Sequence, residues 1–337
     1  MNCLFILDPL EVLDAKWDTS LTLLRELAAR GHSTWAADTH EVWYETPDVV
    51  ADASRICPDA DFRYHATDRK RLKARDFQLI LIRKEPPFDA NYLYLTHLLD
   101  HVARLVPVLN HPTGIRNNNE KLSALHFSRW MPETVVSRSE TTILDFQDRL
   151  QSDVVVKPLD EKGGKGVFLL HRADNHKSEL LKQATQNGTQ TIMAQRYLTG
   201  DGVHGDKRIL ILDGEVLLAY EKRFGKGDFR GNLSAGASYC PATLTGLEKK
   251  LVEEMAPYLK NQGLHFVGID VLMDRLIEVN VTCPAGLAEA KSLYPQLAPV
   301  QTWADSLEAL VSGWKAPGAG PLRGYNPNTE VLSPLLP

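Results

Sequence analysis

Cysteine is scarce in this chain and spaced badly for paired chemistry. Only four occur, Cys3, Cys57, Cys240 and Cys283, with no CxxC among them. That spacing excludes a disulfide framework and a zinc-finger ligand set, and reduced thiols are the expectation. Long apolar runs are missing too. No stretch reaches the roughly 18 residues of a membrane-spanning helix, and the opening MNCLFILDPL has neither the basic start nor the apolar length of a secretory signal. An excess of one charge sign is absent: 38 Lys and Arg against 43 Asp and Glu leave a net charge of −5. That balance excludes the overall footprint of a nucleic-acid binder. The histidines show no HxH or HExxH, the tryptophans no base-stacking series, and GxSxG, Walker A and GxGxxG are all lacking. These absences point to a cytoplasmic protein that acts on small molecules, with no nucleic-acid or membrane partner.

What is present is a globular composition, 43% hydrophobic and 24% charged over 337 residues, enough for two or three subdomains. The first third alternates strands and helices: a strand at 2–7 ending in Asp8-Pro9, a helix capped by Asp18-Thr19 and stopped at Gly31, a strand at 78–82, a helix at 91–104 and a strand at 106–109. This pattern predicts parallel β-α-β units, whose natural site lies at the carboxyl ends of the strands. Asp8 and Arg83 fall there. The middle reads as strand, glycine loop, strand, with Lys157 closing residues 154–156 and a second strand at 167–170. A helix at 177–184 and a strand at 191–196 follow. Then come a hairpin around Asp213-Gly214, a helix at 244–259, paired strands at 266–273 and 276–281, and a closing helix at 304–311. After Trp314 the chain is rich in Gly and Pro.

Three groups of residues can carry chemistry. Gly163, Gly164 and Gly166, with Lys162 and Lys165 beside them, could fold over a polyphosphate and offer unobstructed backbone N–H groups; a plain hairpin is the competing reading. Lys157 sits between Val156 and Pro158, an awkward place for a residue that serves only packing. The second group is sharper. Pairing across the turn at Asp274-Arg275 sets Asp270 opposite or close to Glu278, and Glu278 and Asn280, two apart, share one sheet face. Three oxygen ligands on one face suit Mg²⁺. The third group is cationic: Arg208, Arg223 and Arg230 could neutralise charge on a transferring phosphoryl group. Residues 225–236 make a candidate lid, and Arg83 could bind a carboxylate through its planar fork.

Taken in order, these stretches resemble the bacterial glutathione synthetases of the ATP-grasp superfamily. The resemblance runs from the N-terminus to about Val311. It rests on Asp8-Pro9, Asp18-Thr19-Ser20, the segment Arg83-Lys84-Glu85-Pro86-Pro87-Phe88-Asp89, Asn119-Glu120-Lys121 and Lys157-Pro158-Leu159-Asp160. It continues through Gly163-Gly164, Met193-Ala194-Gln195, Asp206-Lys207-Arg208 and Arg230-Gly231-Asn232-Leu233. It closes with Phe266 to Asp270 and Glu278-Val279-Asn280-Val281-Thr282. It implies an α/β (α+β ATP-grasp) fold: a Rossmann-like parallel-sheet substrate domain at 1–120, an ATP-grasp small subdomain at 121–200, a C-terminal subdomain with the metal site at 201–314, and a tail at 315–337.

The resemblance also implies roles. Lys121 and Lys157 would hold ATP phosphates with Gly163 and Gly164. Gln195, Arg196, Tyr197 and Leu198 would form the hinge that reads adenine, and Asp206 would take the ribose. Asp270, Glu278 and Asn280 would hold two Mg²⁺ ions, with Mn²⁺ as a substitute. Arg208 and Arg223 would be catalytic cations, while Asp18, Ser20, Arg83, Arg230 and Asn232 would bind substrate. The implied reaction joins γ-glutamylcysteine and glycine through an acyl-phosphate, in a homo-oligomer. An ATP-grasp ligase with another amine acceptor, or a nucleotide-binding regulator without catalysis, would share these motifs. Three departures stand out. The lid between Arg223 and Arg230 is one residue short, Trp17 replaces a basic residue, and a Ser-Pro-Thr followed by Arg-Glu is here Cys283-Pro284-Ala285, then Ala288-Glu289. Lys291 is the expected replacement for the missing arginine.

Overall fold

The computed structural model describes residues 1–58, 64–200, 205–225 and 238–314. Arg230, Asn232, most of the expected lid and the tail lie outside the described residues. Three sheets organise the rest. The first has seven strands. Its centre is parallel, with Asn2–Leu7 between Ser33–Ala37 and Leu79–Arg83, and Val108–Leu109 beside the latter. These strands are buried on both faces, as their unbroken apolar runs require. The helix Thr19–Ala29 starts where expected, because the Asp18 carboxylate accepts from Leu21 N at 2.8 Å.

The expected parallel β-α-β units form the centre of a sheet that is mixed as a whole. Val42–Glu45, Asp48–Pro58 and Tyr64–Lys73 add an antiparallel flank. The last of these reads YHATDRKRLK and is largely exposed, so it carries no apolar alternation by which a strand could be read.

The second sheet has four antiparallel strands, Phe168–Leu170, Val154–Pro158, Ile192–Arg196 and Thr134–Ser137 in that order. Helices Glu140–Leu150 and Lys177–Ala184 close its core through Ile143, Phe146 and Leu181. The third sheet has five antiparallel strands ordered Ser238–Pro241, Glu215–Arg223, Gly205–Leu212, Phe266–Leu272 and Arg275–Asn280. One face packs on helix Gly246–Asn261, which opens on a capping box of Thr245 and Glu248. The other face shares a core with the first sheet: Tyr220 and Phe266 belong to one cluster with Phe5, Leu23 and Trp303 of helix Pro299–Gly313. Buried Asn110 joins the two sheets. Its amide donates to Phe266 O and Val281 O, both at 2.8 Å, and its carbonyl accepts from Phe266 N at 2.9 Å. Among the described residues no helix is long and apolar enough to cross a membrane.

Candidate active site

Strand alternation sorts the charges of the third sheet. Along Gly205–Leu212, Lys207 points to the helix face and pairs with Glu248 at 2.6 Å, while Asp206 and Arg208 on either side point the other way. Along Phe266–Leu272, Val267, Ile269 and Val271 join the helix-side core and leave Asp270 on the face of Arg208, its register partner. Arg208 grips Asp270 as a fork, Nε to Oδ1 at 2.7 Å and Nη2 to Oδ2 at 3.0 Å, and its third nitrogen donates to Ala285 O. Gly268 makes room for this: a Cβ there would lie 3.2 Å from Arg208 Cδ. Asp270 and Glu278 are opposite each other, brought into pair by a bulge between Asp270 and Val271, and Asn280 sits two pairs further on, opposite Gly268.

These groups line one cleft of about 660 Å³. The opposing wall comes from the second sheet, with Lys157, Gln195 and the glycine loop, and from the linker residue Lys121. Gly163, Gly164 and Gly166 all take positive φ, at 63°, 74° and 71°, so the loop adopts a bend that side chains resist. Lys157 donates to Gln195 Oε1 at 2.5 Å, and desolvation pushes its pKa down to about 8. Lys121 donates to Glu161 O in the glycine loop at 2.7 Å and meets Glu278 at 3.1 Å. Arg196, Tyr197 and Leu198 continue the wall. Arg223 lines the cleft as well but is exposed, 3.7 Å from Glu221, away from the Asp270 fork.

Two groups that the sequence reading passed over matter here. Lys222 is buried, and its ammonium reaches both Asp206 at 2.5 Å and Asp270 at 3.0 Å. Its own burial lowers its pKa, but the two carboxylates outweigh that and raise it above the ordinary lysine value. Burial likewise opposes ionisation of Asp270, and Arg208 with Lys222 overturns it, so Asp270 stays well below the usual carboxylate range. Glu120 is the other. One of its oxygens accepts from Val281 N, Thr282 N and Thr282 Oγ, at 3.1, 3.1 and 2.7 Å. It thus ties Lys121 to the end of the Glu278–Asn280 strand. Its place in Asn119-Glu120-Lys121 was the available signal.

The expected substrate residues of the first domain form a separate knot, outside the cleft lining. Arg83 is 4% exposed and donates through Nε to Ser20 Oγ at 3.0 Å and through Nη2 to Pro284 O at 2.9 Å. No carboxylate pairs with it among the described residues, and its guanidinium lies 5.6 Å from the Trp303 ring. Thr19 Oγ accepts from Gly286 N and Leu287 N, so the Asp18-Thr19-Ser20 turn holds the segment 283–287 in place. Cys283 Sγ, where the resemblance has serine, donates to Arg83 O at 3.2 Å. Lys291, the expected replacement for the missing arginine, is exposed on Leu287–Leu293 and off the cleft lining, whereas Ala288 is buried.

Residues 1–116 match the model of the prokaryotic glutathione synthetase N-terminal domain, and residues 120–295 that of the prokaryotic glutathione synthetase ATP-grasp domain. The chain is 40% identical over 297 residues to a glutathione synthetase of Gloeobacter violaceus, covering 86% of this chain and 91% of that one. It is 38% identical over 312 residues to a glutathione synthetase of Parasynechococcus marenigrum, covering 92% and 100%. Among solved structures, a D-cycloserine synthetase aligns with a TM-score of 0.64 at 15% identity, over 91% of this chain and 100% of the other. A RimK-domain ATP-grasp protein from Sphaerobacter thermophilus aligns at 0.60 and 16%, over 90% and 98%. These two speak for an ATP-grasp fold alone.

Proposed function

This chain belongs to the prokaryotic glutathione synthetase family, and from that premise we propose how its residues make a peptide bond. It is an ATP-dependent ligase that forms a C–N bond between γ-glutamylcysteine and glycine. The observation that carries our assignment of roles is the single cleft in which Lys121, Lys157 and the glycine loop confront Asp270, Glu278 and Asn280. Lysines on one wall and a cation-binding oxygen set on the other are what a triphosphate with its divalent ion requires.

In this reading the cysteinyl carboxylate attacks the γ-phosphorus of ATP, the bond to the β,γ-bridging oxygen breaks, and ADP leaves. The glycine amine then attacks the acyl carbon. The new C–N bond displaces inorganic phosphate, and the amine loses a proton. Lys121 and Lys157 hold phosphate oxygens, the 195–198 segment reads the adenine, and Asp206 faces the ribose. Arg208 and Arg223 stabilise the transferring phosphoryl group and the acyl-phosphate. Arg83, whose charge no carboxylate of the described chain neutralises, takes a carboxylate of the dipeptide with Asp18 and Ser20 near it; Arg230 and Asn232 complete that role from outside the described residues.

The donor set fits a hard divalent cation. Glu278 is a quarter exposed to the cleft, and Asn280 gives its Nδ2 to Gly268 O at 3.1 Å, which leaves its oxygen for a ligand. Mg²⁺, or Mn²⁺ in its place, supplies Lewis-acid neutralisation of phosphate charge when bound there. We also propose the division into 1–120, 121–200, 201–314 and 315–337, cytoplasmic residence and a homo-oligomer. Steady-state ADP release tests the ligase reading: sustained turnover should require both γ-glutamylcysteine and glycine, because without glycine the acyl-phosphate is not consumed. Release that ignores either substrate would overturn it.

A further inference from the structure

Lys222 is placed by register, not by side-chain chance. It pairs across the sheet with Asp206, and Arg208, two residues on, pairs with Asp270 on the next strand. Asp270 therefore lies two strands across and two residues along from Lys222, about 12 Å between Cα atoms at the usual strand dimensions. Only a long cationic side chain bridges that distance, and the ammonium does so: it contacts Asp206 Oδ2 at 2.5 Å and Asp270 Oδ1 at 3.0 Å while lining the cleft.

A buried ammonium held between two carboxylates supplies positive charge to the cleft wall they share. Asp270 already has its Oδ1 shared between Arg208 and Lys222 and its Oδ2 held by Arg208. For a second divalent ion to take an oxygen of Asp270, Arg208 or Lys222 would have to give up its hold there, and either cation would then stay buried with a partner lost, a costly state. Glu278 and Asn280 carry no such burden. An ammonium has three N–H donors. Two meet Asp206 and Asp270, and the third is available to a phosphate oxygen.

Resting on the ligase reading above, we propose that Lys222 is the second cation of the phosphate site, and that this chain takes ATP with one divalent ion where the family resemblance implies two.

The test counts ions. Free Mn²⁺ is followed by electron paramagnetic resonance during titration into the full chain saturated with a non-hydrolysable ATP analogue. One tightly bound Mn²⁺ per wild-type chain is expected, rising to two in Lys222→Met. Lys222→Gln, which keeps a donor for the carboxylates but no charge, should also bind two and covers the case where the methionine variant does not fold. Two ions on the wild-type chain overturn the proposal without any variant, and so does a count of one in all three chains. Should wild type bind no Mn²⁺–nucleotide at all, the ligase reading fails with it. Two ions together with intact, substrate-dependent ADP release would remove the Lys222 assignment only.

Discussion

Arg83 and Arg208 are both buried guanidinium groups on strands, yet their surroundings differ in kind. Arg208 faces the Asp270 carboxylate as a bidentate pair, with Lys222 on the same carboxylate. Arg83 gives its N–H groups to a hydroxyl and a peptide oxygen and lies against aromatic rings. In the first case the charge is matched within the protein. In the second the hydrogen bonds orient a fork whose charge meets no carboxylate among the described residues. Matched charge of this kind holds a site together, and unmatched charge recruits an anion.

The largest effects should come from breaking the matched side. Glu278→Gln removes a cation-binding oxygen at a partly open position, so turnover should fall beyond about 100-fold, roughly 3 kcal/mol of transition-state stabilisation, with the melting temperature nearly unchanged. Asp270→Asn should lose as much turnover and also stability, because Arg208 and Lys222 are left facing each other; about 3–5 kcal/mol is the usual cost of opening a buried pair. Equal melting curves for the two variants would show that the charges around Asp270 are not matched as described.

Next comes the unmatched side. Arg83→Met should raise the KM for γ-glutamylcysteine at least about tenfold, the loss of a charge-assisted pair, while kcat moves little. The same change at Arg208 should act mainly on kcat. If Arg83→Met lowers thermal stability but leaves that KM alone, Arg83 serves the 283–287 segment and not the substrate.

A smaller effect concerns Lys157, which stands between the two cases as a desolvated lysine on a neutral amide partner. With its pKa near 8 it is charged below that pH and neutral above it. Phosphate binding that needs the ammonium must weaken as pH rises through 8, so the KM for ATP should climb across that range. Lys157→Arg, which does not titrate there, should flatten the profile. An unchanged slope in that variant would assign the titration elsewhere. The smallest expected effect is none: Lys291→Ala should leave the KM for glycine unaltered, since Lys291 is exposed and away from the cleft. A several-fold rise would restore Lys291 as the carboxylate partner that Ala288 cannot be.

Much of this is legible in the sequence. The apolar run 266–272, its short turn and the acid–x–amide spacing of Glu278 and Asn280 lead to a hairpin with Asp270 opposite or close to Glu278, and the final pairing is set by a bulge beside Asp270 that the turn alone does not dictate. The capped helix after Asp18 follows from local chemistry in the same way. The polar strand Tyr64–Lys73 was not legible, since its pairing with Asp48–Pro58 is held by backbone ladders and not by an apolar face.

The composition, the order of motifs and the local hairpins are thus properties of the sequence itself: each depends on residues a few positions apart, where propensity, caps and turn spacing act. Which charge meets which was decided only in three dimensions. Lys222 reaches Asp270 across 48 positions of sequence, and Arg83 reaches Pro284 across 201. Such contacts exist because three strands share one register and two sheets share one core, and no local pattern around a lysine or an arginine records what the fold will set opposite it.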